Sequence, residues 1–441
     1  MEENKQTESR AVPEKANRRI EAPSWGAKAH VWTTSMLKAL ENKLDGGRWF
    51  ALNDKVFALR TLREAYGQVR RNGGSAGVDH VKVADFGKRL EEELGKASEQ
   101  LRQGSYQPQK IKRVEIPKAG GGTRPLGIPT VRDRVIQTAV RDVIEPIFER
   151  KFEERSYGFR PGKGCKDALR KVDQLLKQGN YYVVDADIRS YFDNIPHDKL
   201  MNRVREEIAD GKILKLIESY LKVGIFDGLQ EWTPSTGTPQ GAVLSPLLSN
   251  VYLDPFDREM KTSGYELIRY ADDFVILCQT KEDAEQALEH TQGWMLENGL
   301  ELHPEKTKIV DLREGYFEFL GYRFENGRRR PRPKSKDKLK DAIRAKTKRT
   351  NGCSMELIIE KANSSLSGWF NYFKHSTKDW DFKDLDGWIR MRLRSILRKR
   401  LGKAGCGRGQ DHQKWPNQYF HEMGLFSLHR AYLDARQSST R

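Results

Sequence analysis

Two adjacent carboxylates, Asp272 and Asp273, close the tetrad Tyr270-Ala271-Asp272-Asp273, which lies between the apolar runs Leu267-Ile268-Arg269 and Phe274-Val275-Ile276-Leu277. Neighbouring acids in apolar surroundings repel each other and lose hydration, so they persist where cations, hydrogen bonds or solvent offset the cost. The pair suits metal ions, and it equally suits an ordinary turn between two strands. A third carboxylate comes from a second run: Tyr181-Tyr182-Val183-Val184-Asp185-Ala186-Asp187 alternates as a strand does and ends on Asp187. Three carboxylates on two neighbouring strands can hold two divalent ions roughly 4 Å apart, as nucleotidyl transfer requires. With no His or Cys cluster, an all-oxygen donor set favours Mg²⁺ over zinc.

The elements that position these acids belong to a chain of 441 residues, 37% hydrophobic, which is enough for two or three packed units. With 79 Lys+Arg against 62 Asp+Glu, the formal charge is +17, and many basic residues lie close to aromatic ones. That composition points to RNA or DNA as partner, against a basic surface kept for solubility. Cys165, Cys278, Cys353 and Cys406 are widely separated, which fits neither a disulfide framework nor a zinc module and suggests a reducing setting. The first residues lack an apolar signal core and no run of 18 apolar residues follows, so no membrane association is expected and a cytoplasmic location is.

The patterning divides the chain into six stretches. Residues 1–30 read as a flexible leader. Residues 31–105 read as a helical extension carrying the turn-rich Asn72-Gly73-Gly74-Ser75-Ala76-Gly77-Val78-Asp79, which either lies against a substrate or joins two helices. Strand-like and helical runs alternate over 106–325. The Pro-containing basic stretch 326–335 reads as a linker. A helical unit follows over 336–405, with one apolar stripe on Ile358, Ala362, Leu366, Trp369, Phe370 and Phe373 and another on Leu385, Trp388, Ile389, Leu393, Ile396, Leu397 and Leu401. Around the second stripe lie Arg390, Arg392, Arg394, Arg398, Lys399, Arg400 and Lys403, either a phosphate-tracking surface or a solvated helix face. Residues 406–441 read as a cap on that unit. The fold class expected is α+β.

The chain resembles the reverse transcriptases encoded by bacterial group II introns, including their maturase region. Gly121-Gly122-Thr123-Arg124-Pro125-Leu126-Gly127-Ile128-Pro129, Tyr157-Gly158-Phe159-Arg160-Pro161-Gly162, Asp187 to Asp193, Thr238-Pro239-Gln240-Gly241, the Tyr270 tetrad and Phe319-Leu320-Gly321-Tyr322 occur in family order. The resemblance implies a right-hand polymerase of fingers, palm and helical thumb that copies RNA into DNA with two Mg²⁺ ions, Mn²⁺ being able to substitute. It makes Asp187, Asp272 and Asp273 the catalytic carboxylates, with the Ile188 carbonyl also on a metal.

It places Lys118, Arg124, Gln240, Gly241 and Lys306 at the nucleotide, Lys308 competing with Lys306 for the leaving group. Phe192 becomes an aromatic gate against a ribose 2′-hydroxyl, or else core packing, and Gln240 a base-pair contact, or else a helix cap. Gly73, Gly74 and Arg160 join Arg390, Arg394 and Arg398 as template or RNA contacts. Gly368-Trp369-Phe370-Asn371-Tyr372-Phe373 and Leu385-Asp386-Gly387-Trp388 resemble the maturase-specific thumb.

The partners implied are group II intron RNA, an RNA template with a DNA primer, target DNA and dNTPs. The function implied is copying of the intron during retrohoming together with help in its splicing. After about residue 405 neither paired cysteines nor a His-rich motif follows, which matches compact members lacking an endonuclease domain. A maturase with a vestigial polymerase and a free-standing enzyme of defence or DNA repair are the rival readings.

Overall fold

The alternation in residues 182–187 and the apolar run after Asp272 build the centre of the molecule. In a computed structural model, which describes residues 26–41, 47–117, 122–228, 231–405, 407 and 409–438, the strands are β1 (Ile111–Pro117), β2 (Thr123–Ile128), β3 (Tyr182–Asp187), β4 (Ile225–Phe226), β5 (Glu231–Trp232), β6 (Glu266–Tyr270), β7 (Asp273–Cys278), β8 (Lys308–Asp311), β9 (Tyr316–Phe319), β10 (Tyr322–Glu325) and β11 (Arg328–Pro331). They form three sheets, ordered β6-β7-β3-β8, β2-β1-β4-β5 and β11-β10-β9. The first is antiparallel throughout, and the second contains one parallel pair, β1 with β4.

Both faces of the β6-β7-β3-β8 sheet are covered, and residue parity decides which side chain meets which layer. Val184, Ala186, Phe274, Ile276 and Cys278 face a core that includes the helices Leu59–Asn72, Val131–Glu149 and Ser245–Thr262. Val183, Val275 and Leu277 face a second core built from β9, β10 and the helices Met355–Phe373 and Trp380–Arg400. The helix Val131–Glu149 is buried nearly all round, its polar Asp133, Gln137 and Asp142 included, and its Thr130 cap accepts from the Asp133 amide. The architecture is α+β with antiparallel sheets and a helical C-terminal part. No helix among the described residues is long and apolar enough to cross a membrane.

Several segments differ from the sequence reading. Most of the leader, residues 1–25, lies outside the described residues, whereas Ala27, Val31 and Trp32 are already buried. The stretch 326–335 is no linker: Arg328–Pro331 pairs along β10, and the next helix starts at Pro333. Proline removes a donor, but at the end of β11 and in the first turn of a helix no donor is needed. Of the two apolar stripes, the first is buried as expected except for a half-buried Trp369, and Leu401 at the end of the second is exposed.

Candidate active site

β6 and β7 are joined by the two-residue turn Ala271-Asp272, with Tyr270 opposite Asp273. Ala271 has φ +61, a conformation in which glycine is usual, so surrounding contacts must hold it. Arg269 supplies them. Its buried guanidinium pairs with Asp257 in two parallel bonds, the Nε bond at 2.7 Å, and donates to Asn250 Oδ1 at 3.1 Å and to the Ala271 carbonyl at 2.9 Å. Gly158 lies against the same turn, where an added Cβ would stand 2.3 Å from the Ala271 nitrogen.

The register sets Asp187 of β3 directly opposite Asp273 of β7. Both lie on the parity of Val183, Val275 and Leu277, so the carboxylates emerge at the tip of the sheet face that looks toward the C-terminal helices. Asp185, two residues before Asp187, shares that face. Burial pushes Asp273 up to about 7, with repulsion from Asp185, Asp187 and Asp272 adding to it and Arg332 opposing. Asp185 is pushed up to about 6, again chiefly by burial. Asp272 is raised by burial, and Asp187 adds to the effect.

Among the described residues no three acidic, His or Cys side chains converge on one point. Asp187 Oδ2 is held by Lys306 Nζ at 2.5 Å. The donors fit a hard divalent cation nonetheless: all are oxygens on adjoining strands, and burial raises the proton affinity of Asp272 and Asp273. The antiparallel bridge of Ile188 with Leu302 uses the Asp187 carbonyl and the Arg189 amide, so the Ile188 carbonyl is not spent on that bridge.

Phe192, Asp193 and Gln240 line one pocket of about 440 Å³ together with Gly127 of β2. The Phe192 ring is half-buried and meets Phe159 edge-on at 6.4 Å. Gln240 caps no helix; its carbonyl accepts from the Gly127 amide at 2.6 Å and its side chain lies 3.4 Å from Asp193. Gly241 serves close packing on β2, since a Cβ there would fall 2.5 Å from the Gly127 carbonyl. Arg124 is exposed on β2 with no ion-pair partner among the described residues, and Lys118 lies outside them. Lys306 and Lys308 divide: the first reaches Asp187, whereas the second lies 4.0 Å from Asp185 and over the Tyr316 ring.

The expected RNA contacts fare unevenly. Arg160 is only 8% exposed and pairs with Glu149 at 2.8 Å while donating to the Ser156 carbonyl, so it locks its own loop and is no template contact. Arg394, 2% exposed, donates to the Trp415 carbonyl and Asn417, fastening the C-terminal segment instead of RNA. Arg398 is engaged by Ala404 and Asp411. A buried guanidinium must satisfy its donors internally, which a sequence stripe does not reveal. Arg390 is half-buried at the surface. Gly73 ends a helix at φ +65, and its carbonyl accepts from Arg134; Gly74, at φ +100, is exposed.

The sequence reading assigned no role to Asp185, Arg332, Arg269 or Phe159. Asp185 was legible from its i, i+2 spacing to Asp187; the other three depend on contacts between distant segments. Arg392, read as part of the cationic surface around the second stripe, lies over the Trp388 ring at 5.6 Å, and Arg344 of the preceding helix, which the sequence reading did not name, lies over the same ring at 5.5 Å.

A family model described as reverse transcriptase (RNA-dependent DNA polymerase) matches residues 116–324, and one described as group II intron, maturase-specific domain matches 336–415. Protein YkfC of Escherichia coli (strain K12) is 37% identical over 294 residues, covering 58% of this chain and 77% of that protein. The group II intron-encoded protein LtrA of Lactococcus lactis subsp. cremoris is 41% identical over 169 residues, which is 38% of this chain and 28% of LtrA. Among solved structures, a chain of a partial Cas6-RT-Cas1–Cas2 complex aligns at 26% identity with a TM-score of 0.36, covering 56% of this chain and 41% of that one. The paired carboxylates on a two-sided sheet thus fall inside the polymerase match and the C-terminal helices inside the maturase match, and the chain belongs to the group II intron reverse transcriptase and maturase family, whose members are metal-dependent RNA-directed DNA polymerases that bind intron RNA.

Proposed function

We propose that this chain extends a DNA primer on an RNA template with dNTPs and Mg²⁺, and that it does so on its parent intron RNA, assisting splicing and copying the intron into target DNA within the bacterial cytoplasm. The observation that carries this reading is the register of Asp187 against Asp273 with Asp272 in the adjoining turn. Asp187, Asp272, Asp273 and the Ile188 carbonyl would hold two Mg²⁺ ions, with Mn²⁺ able to replace them. Bound there, the ions lower the pKa of the primer 3′-hydroxyl and neutralise the triphosphate.

The protein's own groups orient and select. Lys306 Nζ, which meets Asp187 at the carboxylate cluster, would donate to the departing pyrophosphate. Phe192, braced by Phe159 and by Tyr191 at 5.4 Å, would act as the gate against a 2′-hydroxyl. Arg124 offers a forked donor to phosphate oxygens.

Extension of oligo(dT) on poly(rA) with dTTP and Mg²⁺ tests the reading. Wild-type protein should synthesise DNA and Asp272→Asn should fall by at least a thousandfold while still binding its intron RNA. A wild-type protein that binds this RNA and makes no cDNA would leave the maturase role alone standing.

A further inference from the structure

β3 runs from Tyr182 to Asp187, so its first residue lies about 17 Å from the catalytic tip, at roughly 3.3 Å per residue. At that far end opens a recess of about 930 Å³, between the helix Cys165–Lys177, the β10–β11 hairpin and the end of the helix Met355–Phe373. Lys177, Tyr181, Arg328, Arg329, Lys374 and His375 line it. Its floor is fixed, because Arg329 donates to the Leu169 and His375 carbonyls and pairs with Asp173, while the Thr377 amide donates to the Arg329 carbonyl.

The recess carries uncompensated positive charge. Its two acids are already taken, Asp173 by Arg329 and Glu325 by Arg323 and Arg330. Lys177, Lys374 and Arg328 have no ion-pair partner among the described residues. The His375 imidazole is held below its usual range by burial and then by Lys166, Arg329, Lys374 and Arg170. Flat exposed rings stand beside these cations: Tyr181 is 41% exposed, and Trp380, 51% exposed, lies under Arg328 at 5.4 Å. Unpaired cations that follow a backbone, beside aromatic faces on which bases stack, are the two parts of a single-strand site.

We propose that this recess is a second nucleic-acid site, which holds a single-stranded phosphodiester segment outside the polymerase cleft. The inference rests on the proposed nucleic-acid chemistry of the chain, but its location is independent of the catalytic carboxylates. The strand is either intron RNA or displaced target DNA, two sources with the same backbone chemistry.

The test uses the full chain with its cleft saturated by an unlabelled RNA–DNA primer-template hairpin, and fluorescein-labelled twelve-residue oligo(U) or oligo(dT) as probe. Three phosphate contacts are worth about fifty-fold at 0.15 M salt, at roughly 0.7 per contact in the log–log salt slope. Lys177→Ala/Arg328→Ala/Lys374→Ala should therefore bind the probe about fifty-fold more weakly with a slope smaller by about 2, while its primer extension stays at the wild-type rate. Trp380→Ala should weaken binding with the slope unchanged. Lys177→Glu alone, on an exposed helix face, should cost about tenfold and decides the matter if the triple variant misfolds. The tighter of the two probes names the strand. Complete displacement of both probes by the hairpin, or triple-variant binding within threefold of wild type, would overturn the site. Absence of extension in wild type would instead overturn the polymerase reading.

Discussion

Gly158→Ala would test whether the catalytic turn is held as tightly as its contacts imply. A Cβ on residue 158 would stand 2.3 Å from the Ala271 nitrogen and 2.9 Å from the Tyr270 carbonyl carbon. Ordinary contact begins near 3.4 Å, so one of the two segments must move by about 1 Å. Neither moves freely. The Gly158 carbonyl accepts from Asn250 at 2.8 Å and the Tyr157 amide donates to the Arg269 carbonyl at 2.9 Å, while Arg269 grips Ala271 from the other side. Asp272 and Asp273 follow Ala271 directly, so part of that displacement reaches the carboxylates. A misplacement of about 1 Å in a reacting geometry costs roughly 10²-fold, and overpacking of this kind destabilises by about 1–3 kcal/mol. Single-nucleotide extension should show kcat down about a hundredfold with KM for dNTP nearly unchanged, and thermal unfolding should show the variant still folded. Gly95→Ala, where an added Cβ meets nothing within 4 Å, is the control and should leave activity intact. A Gly158→Ala enzyme with kcat within threefold of wild type would refute the claim that this glycine and this turn are locked together.

Three further outcomes follow from the same structure. Arg269→Leu strands the buried Asp257 carboxylate and should destabilise by roughly 3–5 kcal/mol in chemical denaturation; adding Asp257→Leu should recover most of that but not the activity, since Ala271 still lacks its donor, and full activity in the double variant would sink the positioning role. Phe192→Val should lower discrimination against ribonucleotides by roughly 10–200-fold in competitive incorporation, and unchanged discrimination would assign Phe192 to packing alone. Burial raises the Glu145 carboxyl to about 7 from 4.5, so its contribution to stability is fully present below about pH 4.5 and lost as pH rises through about 7. Glu145→Gln should accordingly stabilise by up to roughly 3 kcal/mol at pH 8 and by little near pH 5, and an equal gain at both pH values would contradict the assignment.

The three carboxylates of the candidate site were legible because local spacing encodes them: Asp187 ends an alternating run, and Asp272 and Asp273 sit where two apolar runs meet. The polymerase motifs lie in family order, so the α+β architecture could be read with them. What failed was anything that depends on how far a side chain is buried. Arg160 and Arg394 look like RNA contacts because Arg is always charged, yet each satisfies its donors within the protein. The basic stretch 328–334 looked like a linker because charge and proline usually mark one, whereas pairing with β10 turns its first residues into a strand. Arg269 reads as one residue of an apolar run, and only its distant partner Asp257 shows that it organises the turn.

The strand at Arg328–Pro331 and the core shared across the β6-β7-β3-β8 sheet bear on how this molecule can be dismantled. Val183, Val275 and Leu277 pack on the same cluster as Ile343, Ile358 and Leu366. Cutting the chain near residue 325 would therefore not release a polymerase from its C-terminal helices. It would strip one wall from the sheet that carries the carboxylates. The two matched segments are separable as text but joined as a solid, so replacing the C-terminal helices would also mean rebuilding the back of the sheet that carries the carboxylates.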